Sequence, residues 1–368
     1  MSSPRRAPDS GWPPLALTVR PPLPPMEAKL ADALPPPGPW QFEPKWDGFR
    51  GLAFWDGARA ALQSKAGQPL ARYFPELVAA LAALGAPRAV LDGEIVIPVE
   101  GGLSFDDLLL RIHPAESRIR KLAAARPAVL LVFDLLVDAE GRALLDRPLD
   151  ARREALEAFA ARYLTDAGDV RLSPATTDRA AAQDWLARGE RWGLDGVLAK
   201  RRDAEYRPGD RSGMLKVKRI RTADCVVGGF RYGEGRDVVG SLLLGLYDDA
   251  GLLHHVGFTS TLPAAERRPL TPRLESLVEP PGFTGRAPGG PSRWSRERSG
   301  EWKPLTPALV CEVRYDHFAG GRFRHGTTFL RWRPDKEPRQ CRLAEVEPRR
   351  GGSPGALSLF GGRARRSA

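Results

Sequence analysis

The stretch EPKWDGFRGLAFWDGARAALQSK, residues 43–65, decides how the first half of the chain folds. Lys45 stands just before a strand-like run, and Gly48 permits a close approach of backbone or ligand. The runs GFRGLAFW and ARAALQSK flank Asp56-Gly57, a dipeptide that favours a tight turn between two strands. The stretch therefore predicts a β-hairpin with a lysine at its entrance.

Outward from this hairpin, helix-like and strand-like segments alternate over the first two hundred residues. The apolar runs AVLDGEIVIP and AVLLVFDLLV are typical of strands. Helices are predicted at residues 73–84, from a capping box that begins at Ser104, and at residues 148–163 and 177–190. This part of the chain is therefore expected to mix α and β structure.

The pattern changes after Arg221. Short strand-like runs separated by Gly- and Asp-rich turns follow, and a single helix is predicted at residues 264–278. Five strands with one inserted helix in about 120 residues are typical of a small barrel of the oligonucleotide-binding (OB) type. We place the domain boundary near residues 219–224.

The two ends of the chain differ in composition from its body. Residues 1–24 are rich in proline, which removes backbone donors and breaks helices and strands, so a flexible arm is predicted there. Residues 349–368 contain five arginines and no acidic residue, and they offer little apolar surface to bury. A disordered tail is predicted for them.

Length and composition exclude several classes of protein. A chain of 368 residues is too long for a solitary small module, and 42% apolar with 27% charged residues is typical of globular domains rather than of global disorder. No apolar run reaches membrane-spanning length and the first residues lack a signal peptide, so we expect a cytoplasmic protein. Cys225, Cys311 and Cys341 lack zinc-ligand spacing and are expected to be reduced thiols.

The basic residues are mostly arginine. Lys+Arg 56 against Asp+Glu 45 gives a net charge of +11, but nearly half of that excess lies in the tail. Net charge is therefore a weak indicator of what the folded body binds. The chain has 47 arginines and only 9 lysines, so each lysine marks a place where an amine is worth examining.

Six of the nine lysines fall in a series of short motifs. No P-loop and no HExxH sequence is present, so a nucleotide would have to be held in another way. The motifs, in chain order, are Lys45-Trp46-Asp47-Gly48, Ser64-Lys65-Ala66-Gly67, Asp92-Gly93-Glu94, Phe133-Asp134-Leu135-Leu136, Asp195-Gly196-Val197-Leu198-Ala199-Lys200, Lys216-Val217-Lys218 and Arg333-Pro334-Asp335-Lys336.

This series resembles the nucleotidyltransferase motifs of ATP-dependent DNA ligases. The flanking segments ESRIRKLA, YRPGDRSGMLKVKR and CEVRYDHF are similar to the small bacterial ligases called ligase C and to the ligase domain of ligase D. The resemblance covers about residues 25–345. It implies an α+β fold, with a nucleotidyltransferase (ATP-grasp-like DNA ligase) domain at residues 25–221 that carries out adenylation, followed by an all-β OB-fold barrel at residues 222–348.

The resemblance makes Lys45 the nucleophile that attacks the α-phosphate of ATP and becomes lysyl-adenylate. A free lysine is protonated at neutral pH, so we expect burial or nearby cations to lower the pKa of Lys45. Lys216, Lys218 and a metal ion are the candidates for that effect. By similarity, Lys216 and Lys218 also contact the α-phosphate.

The resemblance assigns the other site residues to nucleotide, metal and DNA. Residues implied to bind the nucleotide or the nick phosphate are Glu43 through its backbone, Arg50, Lys65, Glu94 at the ribose, and Phe133 stacked on adenine. In the second domain, Arg333 and Lys336, with Asp335 between them, are implied to orient the departing pyrophosphate. The implied ligands of Mg²⁺, or of Mn²⁺, are Asp47, Glu94 and Asp195, whose carboxylates are oxygen donors of the kind these ions prefer.

The implied activity is the sealing of 5′-phosphate/3′-hydroxyl nicks in duplex DNA, in DNA repair or recombination. We expect a monomer that uses ATP as co-substrate, binds nicked DNA and no membrane, and has repair or end-joining proteins as partners. Arg231 and Arg236, and the loop with Arg322 and Arg324, are candidates for contacts with the DNA backbone. Two alternatives remain: an RNA ligase or capping guanylyltransferase, which shares the lysine motifs, and a DNA-end binding module without catalysis.

Overall fold

The computed structural model describes residues 11–100, 102–165, 168–189, 193–219, 221–233, 237–289, 301–324 and 326–347. The chain divides at Arg219 into two compact units, which we call unit 1 and unit 2. Unit 1 combines helices with two sheets, and unit 2 is rich in β structure. The predicted α+β fold class is confirmed.

Unit 1 contains two main sheets and five helices among its described residues. Its strands are β1 (Lys29–Ala31), β2 (Trp40–Trp46), β3 (Phe49–Trp55), β4 (Ala60–Ser64), β5 (Ala89–Val96), β6 (Pro98–Val99), β7 (Gly102–Leu103), β8 (Val129–Val137), β9 (Val170–Leu172), β10 (Leu194–Arg201) and β11 (Met214–Lys218). Its helices are α1 (Pro75–Ala83), α2 (Phe105–Arg111), α3 (Glu116–Ala125), α4 (Leu149–Tyr163) and α5 (Arg179–Arg188). One sheet has the strand order β1-β11-β10-β2, and the other has the order β4-β3-β5-β8-β9.

The predicted hairpin is the start of the five-stranded sheet. β3 and β4 pair antiparallel with Gly51 opposite Ser64, and Gly57 in the turn has a φ of +92°, which suits glycine. β8 lies in the interior of this sheet and all nine of its residues are buried, which explains its unbroken apolar sequence. The α2 helix begins where the capping box was predicted, because the Ser104 hydroxyl accepts a hydrogen bond from the Asp107 amide at 3.2 Å.

The N-terminal segment corrects one prediction. Residues 11–24 do not form a loose arm: Leu15 and Leu17 are buried and pack in the same apolar cluster as Leu52 and Phe54 of β3. Proline prevents regular structure here but does not prevent burial, because the leucines between the prolines supply apolar surface. Residues 1–10 and the predicted tail at 349–368 lie outside the described residues.

Unit 2 forms a curved sheet with one helix. Its elements are β12 (Arg221–Tyr232), β13 (Val239–Tyr247), β14 (Leu253–Thr259), α6 (Ala264–Glu275), β15 (Lys303–Pro304), β16 (Val310–Tyr315), β17 (Phe318–Ala319), β18 (Arg322–Phe323) and β19 (Thr328–Trp332). The order β14-β13-β12-β16-β19 returns to its start through a parallel bridge between Thr259 and Thr327. Five strands closing on themselves with one inserted helix are consistent with an OB-fold.

The three cysteines lie in unit 2 as free, buried thiols. Among the described residues, no helix is both long enough and apolar enough to cross a membrane.

Candidate active site

Three neighbouring strands of the four-stranded sheet position Lys45. β2 pairs antiparallel with β10, which places Gly196 opposite Lys45, and β10 pairs in turn with β11, which carries Lys216 and Lys218. A Cβ atom at Gly196 would lie 2.1 Å from the carbonyl oxygen of Val217, so only glycine lets these strands approach so closely. The motifs around Lys45, Asp195 and Lys216 therefore meet because of strand register.

The other glycine of the lysine motif has a similar role. A Cβ atom at Gly48 would lie 2.3 Å from the carbonyl oxygen of Ile95 in β5. Gly48 therefore lets the connection between β2 and β3 run against the five-stranded sheet. This close approach involves backbone rather than ligand.

Lys45 forms an ion pair. Its Nζ lies 2.6 Å from Oδ2 of Asp195, and Nζ of Lys218 lies 3.7 Å from the same oxygen. Burial acts to lower the pKa of Lys45, but Asp195, Glu94 and Asp47 outweigh it, and the pKa is raised. The expectation of a lowered pKa is wrong for this arrangement, because three carboxylates stabilise the ammonium more than burial destabilises it.

A pocket of about 270 Å³ brings together six of the predicted site residues. They are Lys45, Arg50, Lys65, Glu94, Phe133 and Lys216. The pKa of Lys216 is lowered by burial and by the positive charges of Lys45, Lys218 and Lys65. This pocket therefore combines amines, a guanidinium and an aromatic ring, groups that together can bind the base and the phosphates of a nucleotide.

Glu43 is not among the residues that line the pocket. It is fully buried, its Oε2 lies 2.7 Å from Nζ of Lys200, and the Gln41 amide donates to its Oε1 at 2.7 Å. Lys200 Nζ also lies 4.3 Å from the centre of the Phe133 ring. Neither Lys200 nor Gln41 was predicted to have a role, although Lys200 is one of the few lysines and ends one of the short motifs.

Arg50 is held by Asp92, a buried carboxylate that was not predicted to contact it. Its guanidinium donates to both carboxylate oxygens of Asp92 at 2.5 and 2.6 Å, and its Cζ lies 4.6 Å from the centre of the Phe133 ring. Asp92 is fully buried and also accepts a hydrogen bond from the Tyr206 hydroxyl at 2.7 Å. Asp92 and Tyr206 thus fix the direction in which Arg50 points.

Lys65 lies at the rim of the pocket and is paired with an acid. Its Nζ lies 3.0 Å from Oε2 of Glu27, an oxygen that also accepts from Arg211 at 2.8 Å. Both cations lower the pKa of Glu27. Glu27 and Arg211 were not among the predicted site residues, because no spacing in the sequence relates them to Lys65.

The three candidate metal ligands do not converge on one point. Among the described residues, no three His, Cys, Asp or Glu side chains form a metal-binding group. Asp195 contacts Lys45, whereas Glu94 and Asp47 are near enough to raise the pKa of Lys45. Burial raises the pKa of Glu94 to about 7, with Lys45 and Arg50 opposing and Asp47 and Asp92 adding to the rise. A desolvated carboxylate of this kind fits a divalent cation, and Mg²⁺ uses only one or two protein carboxylates beside phosphate and water.

Arg333 and Lys336 lie in unit 2, where both contact Asp224. The Arg333 guanidinium lies 2.8 and 2.9 Å from the two oxygens of Asp224, and Lys336 Nζ lies 3.1 Å from one of them. Arg333 also donates to Asp335, which lowers the pKa of Asp335 to about 2. Asp224 precedes a buried strand segment, and sequence reasoning had no signal for its contact with residues more than a hundred positions away.

A family model for the "ATP dependent DNA ligase domain" matches residues 25–218, and one for the "ATP dependent DNA ligase C terminal region" matches residues 235–336. The chain therefore belongs to the ATP-dependent DNA ligases, which are covalent nucleotidyltransferases. The resemblance inferred from the motifs is confirmed.

Within this family, the chain is similar to bacterial ligases C and D. DNA ligase C2 of Mycolicibacterium smegmatis is 46% identical over 347 residues, covering 90% of this chain and 96% of the relative. The multifunctional non-homologous end joining protein LigD of Mycobacterium bovis is 34% identical over 303 residues, covering 81% of this chain and 37% of that protein. The solved structure Pmar-Lig_Pre shares the fold, with a TM-score of 0.55, 18% identity and coverage of 80% of this chain and 63% of that one.

Proposed function

We propose that this chain seals 5′-phosphate/3′-hydroxyl nicks in duplex DNA through a lysyl-AMP intermediate at Lys45. The observation that carries the proposal is the placement of Lys45 in a pocket with Lys216, Arg50 and Phe133, in a chain of this family. Nζ of Lys45, after losing a proton, attacks the α-phosphorus of ATP. A phosphorus–nitrogen bond forms, the bond to the β-phosphate oxygen breaks, and pyrophosphate leaves.

Two further transfers complete the reaction. A 5′-phosphate oxygen of the nick attacks the phosphorus of lysyl-AMP, so that the phosphorus–nitrogen bond breaks and Lys45 recovers its proton. The 3′-hydroxyl then attacks the 5′-phosphorus, loses its proton, and AMP leaves. In the first step the Lys45 ammonium must be deprotonated, and Oδ2 of Asp195 lies within hydrogen-bond reach at 2.6 Å.

The roles of the neighbouring residues follow from their positions. We assign Phe133 to stacking on adenine and Glu43 to the adenine end of the nucleotide. Contacts with the phosphate oxygens are assigned to Arg50, Lys65, Lys216 and Lys218. Mg²⁺ would be held by Glu94 and Asp195, with Asp47 near it, and would neutralise charge on the phosphates when bound. Residues 25–221 then form the adenylation domain and residues 222–348 the OB domain.

Arg333 and Lys336 are proposed to act on pyrophosphate in the first step only. Replacing either with alanine is expected to slow formation of lysyl-AMP by about 100-fold, because a cation that stabilises charge on the leaving group is lost. Sealing of a nick that is already adenylated at its 5′-phosphate should stay within about twofold of the unmodified protein, since no pyrophosphate leaves in that step. Single-turnover rates of the two reactions test this, and equal losses in both would contradict the role.

Incubation with α-labelled ATP and Mg²⁺, followed by a chase with nicked DNA, tests the proposed function. The expected result is a covalent label on the protein that disappears as the nick is sealed. Label from GTP in place of ATP would indicate a capping-type guanylyltransferase. DNA binding without any label would indicate the non-catalytic binding module.

The substrate also predicts a dependence on salt. Contacts with the DNA backbone release counterions, so raising salt from about 50 to 200 mM should weaken nick binding severalfold or more. Titration of a labelled nicked duplex at four salt concentrations measures this, and affinity that does not change with salt would contradict it. We propose that the protein is a monomer in the bacterial cytoplasm. We propose repair or end-joining proteins as its partners, because the LigD relative is named for end joining.

A further inference from the structure

Glu27 is a carboxylate in a pocket that is otherwise rich in cations. It lines the same pocket as Lys45 and Lys65. Its Oε2 lies 3.0 Å from Nζ of Lys65 and accepts a hydrogen bond from the Arg211 guanidinium at 2.8 Å. The contact with Lys65, and then that with Arg211, lowers the pKa of Glu27, so the carboxylate is ionised at neutral pH. One oxygen of Glu27 therefore joins two cations that are far apart in the sequence.

The backbone around Glu27 is fixed to both of the segments that carry these cations. On one side, the Gln63 side chain at the end of β4 accepts a hydrogen bond from the Leu23 amide at 2.8 Å and donates to its carbonyl at 2.6 Å. On the other side, the amide of Glu27 donates to the carbonyl of Asp210, next to Arg211, at 2.8 Å. The bridging position of Glu27 is therefore built into the backbone and does not depend on the ion pairs alone.

The two cations keep donors that a substrate can use. The side chains of Lys65 and Arg211 are 60% and 61% exposed. A lysine has three N–H donors and an arginine has five, so one oxygen of Glu27 cannot occupy all of them. Two cations that contact the same oxygen also repel each other, and the charge of Glu27 offsets that repulsion. Together they present an exposed pair of charged donors to one anion.

The anion that fits this pair best is a terminal phosphate monoester. Such a group carries about two negative charges at neutral pH and three acceptor oxygens, whereas an internal phosphodiester carries a single charge. Guanidinium and ammonium groups both donate short, charge-assisted hydrogen bonds to such oxygens. Because the pair is exposed at the rim, it is accessible to a second substrate that arrives after the pocket has taken up its nucleotide.

We propose that Glu27 is a positioning residue for the transfer of AMP to the nick, which holds Lys65 and Arg211 together so that both donate to the 5′-phosphate monoester. With the phosphate held in this way, one of its oxygens forms a bond to the phosphorus of lysyl-AMP, the phosphorus–nitrogen bond breaks, and Lys45 takes up a proton from water. The proposal rests on the proposed function. A contact of Lys65 with the nick phosphate was already expected, and the roles of Glu27 and Arg211 are new.

Glu27→Gln tests this role in the full chain, because it keeps the size of the side chain and removes its charge. Single-turnover transfer of AMP from the adenylated protein to nicked DNA should be about fivefold slower, whereas lysyl-AMP formation should change by less than about twofold. Glu205→Gln is the matched control, since Glu205 is also an exposed acid near an arginine, 3.5 Å from Arg207. The control should leave both rates unchanged. Equal losses of Glu27→Gln in the two steps would contradict the proposal.

A second measurement compares nicks that carry a 5′-phosphate with nicks that carry a 5′-hydroxyl. The unmodified protein should bind the phosphate form more tightly, and Glu27→Gln and Arg211→Gln should each reduce this preference by about threefold. Because the two residues act through one contact, the double variant should lose little more than either single variant. A preference that is kept in both single variants overturns the proposal. Thermal midpoints identify a variant that fails to fold, and the exposed Arg211→Gln then carries the test.

These readouts separate failure of the positioning role from failure of the proposed function. Labelling and sealing by the unmodified protein test the function. If the unmodified protein labels and seals but Glu27→Gln transfers AMP at the same rate, Glu27 does not position the nick phosphate. If Glu27→Gln slows lysyl-AMP formation and leaves transfer unchanged, Glu27 serves a phosphate of ATP, which also overturns the proposal.

Discussion

Replacing Lys45 with alanine is expected to abolish covalent labelling by ATP and to lower nick sealing by at least about 1000-fold, because no other amine in the pocket can take its place as nucleophile. Lys216 also lines the pocket, but it lies on β11, two strands away from β2 in the same sheet. Its Nζ would have to leave the position at which we propose that it contacts phosphate in order to attack. Gel detection of labelled protein and a nick-sealing time course measure the two effects.

A second replacement at the same position separates charge from chemistry. Lys45→Arg keeps a cation beside Asp195, so folding should be preserved, yet a guanidinium stays protonated and cannot attack phosphorus. No label is expected from this variant either. Lys121→Ala, which removes an exposed lysine from α3, should label and seal like the unmodified chain. Normal labelling of Lys45→Arg would show that another residue is the nucleophile.

The second large effect is expected from Asp92→Ala. This change removes the carboxylate that pairs with Arg50 and accepts from Tyr206, and it leaves a largely buried guanidinium and a buried hydroxyl without that partner. Breaking a buried ion pair from one side costs about 3–5 kcal/mol of stability, because the remaining charge is uncompensated. Urea denaturation of the full chain should show this loss, and lysyl-AMP formation should fall because Arg50 is no longer held.

Asp203→Ala provides the matched comparison for Asp92. Asp203 also pairs with an arginine, Arg201, through two hydrogen bonds of 2.5 and 2.9 Å, but both side chains are largely exposed. Exposed pairs are screened by water and contribute little. A small change for Asp203→Ala beside a large one for Asp92→Ala is expected. Equal losses would mean that burial of the Arg50–Asp92 pair does not determine its contribution.

Local features of the fold were predictable because they depend on neighbouring residues. The Asp56-Gly57 turn, the apolar run of β8 and the Ser104 cap each express a preference carried within a few positions. The N-terminal arm was mispredicted because a high proline content indicates only that helices and strands are absent. Burial of Leu15 and Leu17 depends instead on a strand that is distant in the sequence. Such burial has no local signal.

The site was predictable where motifs mark it and not where the fold pairs distant residues. The short motifs identified the residues that line the pocket, but the raised pKa of Lys45 follows from its register against β10, which places Asp195 beside it. Asp92 contacts Arg50 and Tyr206, and Lys200 contacts Glu43. Their roles depend on contacts between strands that no sequence spacing records.

Asp224 means that Arg333 and Lys336 are already paired with a carboxylate before any substrate arrives. A phosphate that binds these two side chains has to displace a carboxylate. The free energy of binding is therefore only the difference between the attraction to the phosphate and the attraction to the carboxylate. Such an exchange lets the pair change partners without ever exposing a bare charge. The two cations are thus suited to a brief and easily reversed contact with a phosphate, which agrees with the role we propose for them at the departing pyrophosphate.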